Sequence, residues 1–168
     1  MVCDPSGVRF FYDAEFGVTA PDITLISIGV VGEDGREYYA VSSEFDPLAV
    51  HPWVREHVLP QLPPTSTWKP RSTIRDELAD FLGVDPVLWA WYGAYDHVAL
   101  CQLWGAMPEL PRAIPRFTLD VRQLWEHLGR PQLPQQQTGL HDALADARHV
   151  KVKWEALAEK AYSLGMEV

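Results

Sequence analysis

Residues Ile23 to Val31 read ITLISIGVV, and this run of mainly apolar, β-branched residues limits the fold more than any other stretch of the chain. Continuous apolarity over a strand's length suits a strand buried on both faces, whereas an amphipathic helix returns to polar residues within each turn. The run includes Thr24, Ser27 and Gly29 and falls far short of the roughly 20 apolar residues that cross a bilayer, so no membrane-spanning helix is expected. Upstream, Val8 to Glu15 reads VRFFYDAE, rich in aromatic and strand-favouring residues. Downstream, Glu33-Asp34-Gly35-Arg36 supplies turn chemistry before Glu37 to Ser42, EYYAVS. Three consecutive strands with short connections predict an antiparallel meander.

After the meander the hydrophobic period changes. Ile74, Leu78, Phe81 and Leu82 recur at helical spacing, Thr73 with Asp76 resembles a capping pair, and Gly83 is placed to end the helix. Val87 to Trp91, VLWAW, reads as a short buried strand. Further helices are expected from near Asp96 to Gly105, over Val121, Leu124, Trp125 and Leu128 up to Gly129, and from about Asp142 to Gly165. The last carries an apolar stripe of Ala143, Ala147, Val150, Trp154, Leu157 and Ala161. Pro-rich stretches at Pro60 to Pro70, Pro108 to Pro115 and Pro131 to Pro134 are surface loops, because the segments between them are too short to fold alone. The expectation is one α/β domain over residues 1–168, a mixed sheet with helices on its faces.

Charge and cysteine content narrow the function. Fourteen Lys plus Arg against 23 Asp plus Glu leave a net charge of -9 on 168 residues, which disfavours broad wrapping of a nucleic-acid duplex but suits metal binding. Cys3 and Cys101 form neither a disulfide framework nor a zinc cluster, and the N-terminus, with Asp4, lacks a basic region followed by an apolar one. A cytoplasmic protein with reduced thiols is expected.

Three sequence positions could carry chemistry, each with a plainer structural reading beside it. Strand alternation puts Asp13 and Glu15 on one face about 7 Å apart, where they can share a cation; a chain this acidic yields roughly one Asp-x-Glu triplet by chance. Asp96 follows a buried strand and a glycine turn at a helix start, and reads either as a helix cap or as a site residue at the carboxyl end of a strand. In His141-Asp142-Ala143-Leu144-Ala145-Asp146, His141 and Asp146 would lie about 140° apart if both were helical, so they converge only if His141 lies in the preceding loop. Asp142 and Asp146, one turn apart, could bind one ion with His149 nearby; alternatively Asp142 caps the helix and His149 is solvated.

The order of these signals, Asp-x-Glu on the first strand, a lone Asp after a middle strand and His-x4-Asp opening the terminal helix, resembles the DEDD exonuclease superfamily in its His-bearing subgroup. The segments FYDAEF, ITLISIGVV, EDGREYYAVSSEFDP, WVREHVLPQLP, WAWYGAYDHVALCQLWG, PRFTLDVRQLWE and HDALADARH are similar to the polyadenylate-specific 3′-exoribonuclease AS family and span nearly the whole chain. The second motif departs from the wider superfamily, reading YGAYD where many members have Asn near the first position. The resemblance implies a ribonuclease H-like fold, a homodimer, and release of nucleoside 5′-monophosphates from the 3′ end of single-stranded poly(A) with two Mg²⁺ ions, Mn²⁺ substituting. It implies that Asp13, Glu15 and Asp146 ligate the metals, that Asp13 bridges both and that Asp96 supports the second directly or through water. His141 would be the base, and an imidazole with pKa near 6.5 suits that task. Two divalent ions would bring the formal charge from -9 to about -5.

Single-stranded RNA is held largely by stacking on aromatic side chains. Trp89, Trp91, Trp125 and Trp154 fall on apolar faces and are expected to be core. Phe16, directly after Glu15, is the candidate for contact with the terminal base, and Arg116, with Arg112, Lys69 and Arg71, for contact with phosphates. Two rival readings are an HD-type phosphohydrolase built on His141-Asp142, against which the strand-rich first third argues, and a catalytically inactive nuclease-fold scaffold that binds RNA or protein.

Overall fold

The computed structural model describes residues 7–19 and 22–168. Its centre is a five-stranded mixed sheet in the order β3-β2-β1-β4-β5. Strands β1 (Arg9–Thr19), β2 (Asp22–Gly32) and β3 (Glu37–Val41) form the expected antiparallel meander, while β4 (Val87–Ala90) runs parallel to β1, and β5 (Leu119–Asp120) parallel to β4. This is the ribonuclease H-like α/β arrangement the sequence predicts.

Alternation along β1 divides the molecule into layers. Phe10, Tyr12 and Ala14 pack with Ile74, Leu78 and Leu82 of α2 (Arg71–Leu82) and Ala99 and Leu100 of α3 (Ala94–Cys101). Phe11 faces the other way, onto Val121 of α4 (Val121–His127) and Val150 and Leu157 of α5 (Ala143–Ser163). Asp13 and Glu15 continue the Phe11 series, so they emerge on the α5 side. Trp89, Trp91, Trp125 and Trp154 all belong to this second cluster, as their apolar faces predict. A third cluster joins Ile26 and Val41 to Val54 of the short helix α1 (Pro52–His57).

Some local expectations differ from the structure. Helix α2 begins behind Pro70 with no side-chain cap, and Asp76 pairs with Arg75 at 2.8 Å, so Thr73 and Asp76 are not a capping box. The fixed φ of proline supplies the helical start instead. Helix α1 and the two-residue β5 are too short to show a period. Cys101 is a free thiol, and Cys3 and Asp4 lie outside the described residues. Among the described residues no helix is long and apolar enough to cross a membrane.

Candidate active site

The parallel ladder between β1 and β4 ends at Phe11 opposite Trp89, which leaves the Ala14 N–H without a strand partner on that side. Asp96, in the first turn of α3 and only 5% exposed, fills the gap: its Oδ1 accepts from Ala14 N–H at 2.8 Å. Asp96 is therefore not the cap of its helix. Gly93 occupies that position without a side-chain bond. One carboxylate thus ties α3 to the strand between Asp13 and Glu15. A break in register between β1 and β2 falls directly after Glu15, where Phe16 pairs with Leu25, the kind of bulge that re-aims side chains beside a site.

Across the sheet, Asp13 pairs with Gly29. A Cβ on Gly29 would lie 2.4 Å from Ala143 O and from Leu144 N and Cα, so the missing side chain is what lets the start of α5 rest on the sheet beside Asp13. Asp142 caps α5 by accepting from Ala145 N–H at 2.8 Å, which is the structural reading of that residue and removes it from an HD-type ligand pair. His141 lies before the helix at φ +67°, an uncommon conformation for a residue with a side chain. Its N–H donates to Asp146 Oδ2 at 3.0 Å, and Gln136 Nε2 donates to Asp146 Oδ1. His141 is thus in the loop, the condition under which it meets Asp146. Ligand atoms of Glu15, His141 and Asp146 all lie within 4.8 Å of one another.

The electrostatics are those of crowded anions. Burial, then Asp96, Glu15 and Asp146, push the Asp13 carboxyl well above its ordinary range. Burial, then Asp146 and Asp96, raise Glu15 to about 7. Burial raises Asp96 to about 7 although the Ala14 N–H opposes it. Burial lowers the Lys153 ammonium on α5, with Asp146 and Asp13 acting against that. Oxygen donors with one imidazole are the chemistry hard divalent cations take, and a cation there would relieve the mutual repulsion; the residues fit such an ion.

Two cavities flank this centre. One, of about 460 Å³, is lined by Glu15, Phe16, His51, Trp53 and Val54. In it Phe16 stacks on Tyr95 at 6.0 Å between ring centroids, while the Trp53 ring stacks on His57 at 4.6 Å and meets His141 edge-on at 4.8 Å. Phe16 thus lies beside Glu15. The second cavity, about 570 Å³, lies between the α4–α5 connection and α5 and includes Gln136, His149 and Lys153.

Three of the residues expected to meet phosphates have partners elsewhere. Arg116 lines a separate cavity with His97 and Cys101 and donates to Met107 O at 3.4 Å. Lys69 is paired with Glu77 at 2.7 Å, and Arg71 donates to Gln102 O at 2.9 Å. Trp53, His57, Gln136 and Lys153 were missed by the sequence reasoning. Only WVREHVLPQLP signalled the first two, and it named no role for them.

A mixed sheet with β1 at its centre, flanked by helices that deliver carboxylates to the middle of that strand, defines a nuclease of the ribonuclease H-like class. Residues 8–158 match the family described as the 3′-5′ exoribonuclease Rv2179c-like domain, and the chain belongs to that family. It is 58% identical over 147 residues to the 3′-5′ exoribonuclease Rv2179c of Mycobacterium tuberculosis strain ATCC 25618 / H37Rv, an alignment covering 84% of this chain and 88% of that protein. The same figures hold for the 3′-5′ exoribonuclease MT2234.1 of Mycobacterium tuberculosis strain CDC 1551 / Oshkosh.

Proposed function

We propose that this chain is a cytoplasmic, homodimeric 3′-to-5′ exoribonuclease of the His-bearing DEDD type that shortens single-stranded RNA from its 3′ end to nucleoside 5′-monophosphates. One observation carries the reading: Glu15, His141 and Asp146, far apart in sequence, present ligand atoms within 4.8 Å, with Asp13 and Asp96 adding their charge to the same point. Asp13, Glu15 and Asp146, assisted by Asp96, would hold two Mg²⁺ or Mn²⁺ ions. Bound there, the ions would promote ionisation of water and stabilise the leaving oxygen of the phosphodiester.

The protein's own groups do the rest. His141 accepts the proton of the attacking water. Asp146, which takes the His141 N–H, and Trp53, whose ring meets the imidazole edge-on, fix its position. The cavity walled by Phe16 and Trp53 takes the terminal nucleoside, aromatic faces being tolerant of any base. Preference for adenine and the homodimer rest on the family resemblance. A chain of charge -9 favours a free single-stranded end over a duplex.

The test compares labelled oligo(A), oligo(U) and oligo(C) of equal length, a 3′-paired hairpin and a circular RNA at fixed salt and Mg²⁺. Stepwise release of AMP from oligo(A), with the hairpin and circle spared, is the expected result. Equal rates on the three homopolymers would remove the adenine preference, cleavage of the circle would overturn exonuclease action, and RNA binding without product would favour a scaffold.

A further inference from the structure

The cavity between the α4–α5 connection and α5 belongs to none of the steps above. Trp91 and Trp125 form its aromatic wall, and Arg130, His149 and Lys153 bring three basic side chains into it, in a chain whose net charge is -9. The aromatic faces hold two of the cations: Lys153 Nζ sits 4.2 Å from the Trp91 ring centroid and Arg130 Cζ 5.7 Å from that of Trp125. Arg130 is also paired with Glu126 at 2.5 Å. Among the described residues Lys153 forms no ion pair within 4.0 Å, although it is only partly exposed. A cation whose ammonium rests on an aromatic face, near Asp13 and Asp146 but in direct ion pair with neither, is a ready partner for a phosphate. The cavity also reaches the carboxylate centre, because Gln136, on its wall, is bonded to Asp146. The Phe16 cavity reaches the same centre through Glu15.

We propose that this cleft is a second nucleotide subsite, in which Lys153 binds the backbone phosphate immediately 5′ of the scissile one. The inference rests on the exonuclease reading. A strand whose terminal nucleoside fills the Phe16 cavity places its scissile phosphodiester at the carboxylates. The preceding nucleotide then enters the cleft on the other side, where Arg130 adds to the positive field.

Lys153→Gln and Lys153→Arg, compared with the natural protein, test this on two substrates. One is a labelled oligo(A) of several residues. The other is a nucleoside 5′-(p-nitrophenyl) phosphate, which has the scissile ester and one nucleoside but no upstream phosphate. Lys153→Gln should lower kcat/KM about 10-fold more on the oligonucleotide than on the chromogenic ester, chiefly through KM, and Lys153→Arg should restore most of the difference. The slope of log KM against log salt should fall by about 0.7, the value for one phosphate contact on a single strand. Equal losses on both substrates would mean that Lys153 acts only through the carboxylates, and would overturn the subsite. A length-dependent loss in Tyr95→Ala that Lys153→Gln does not share would overturn it too, routing the strand over the Tyr95 side. A natural protein inactive on both substrates would sink the exonuclease reading itself, an outcome distinct from the other two.

Discussion

Gly29 is the residue whose substitution should most cleanly separate positioning from chemistry. It carries no functional group and stands opposite Asp13 on β2, where the backbone of α5 closes over it. In Gly29→Ala the new Cβ would lie 2.4 Å from three backbone atoms of Ala143 and Leu144, so strand and helix must part by about 1 Å to reach ordinary contact. Ala147, Val150, Leu157 and Ala161 are all buried along α5, so the helix tilts at its first turn rather than sliding. Overpacking of this kind costs about 1–3 kcal/mol, or roughly 4–8 °C in Tm for about 2 kcal/mol in a chain of this size. The first turn carries Asp146, and a displacement of about 1 Å at a reacting centre costs on the order of 100-fold in rate. Thermal unfolding and turnover on oligo(A) measure the two effects. Gly35→Ala is the control: Gly35 has φ +85° with open space around it, so its substitution strains a turn far from the site and should lower Tm without a comparable loss of rate. A Gly29→Ala protein with natural Tm and natural turnover would contradict the close contact of α5 with Gly29.

His141→Ala should cut turnover by roughly 10²–10⁴ with bound metal retained, whereas Asp142→Asn should change both little, because Asn also caps a helix well; loss of metal in Asp142→Asn alone would contradict this. Asp13→Ala should abolish activity most completely and reduce the bound metal, which a metal assay on the folded protein checks directly. Without metal, stability should fall as pH rises. The folded-state values of Glu15 and Asp96 are raised to about 7 from ordinary values of 4.5 and 3.8, so their contribution is full below about pH 4 and is lost as pH climbs through 7. Solvent discounts the share of the partly exposed Glu15, so the buried Asp96 carries most of the loss, which is on the order of several kcal/mol between pH 4 and 8. Urea unfolding in chelator should show it, and Mg²⁺ should restore more stability at pH 8 than at pH 5; a metal-free protein that gains stability from pH 5 to 8 would contradict the crowded-anion picture.

Elements with a full hydrophobic period were legible before folding: ITLISIGVV became the long strand β2, and the stripe from Ala143 to Ala161 became α5. What could not be read was what depends on contacts across the chain. Asp96 resembles a cap in sequence, and only the end of the β1–β4 ladder reveals that its carboxylate serves Ala14 N–H. Helical geometry required His141 to sit outside the helix, and the φ of +67° meets that requirement. Arg116 looked suited to a phosphate because it is a cation in a loop, but the fold turns it towards the cavity of Cys101. Lys153 carries no signal in the sequence, since no periodicity tells that Trp91, directly after β4, meets its ammonium.

The proposed hydrolysis of a 3′-terminal phosphodiester requires the carboxylates of β1, α3 and α5 to gather divalent cations. Crystals soaked with Mn²⁺ and a nucleoside 5′-monophosphate test it most directly, with anomalous scattering locating the metal. Manganese is expected in contact with Asp13, Glu15 and Asp146, with the nucleotide phosphate against it and the base between Phe16 and Trp53. Crystals of an enzyme active on RNA that show no manganese at these carboxylates would contradict it.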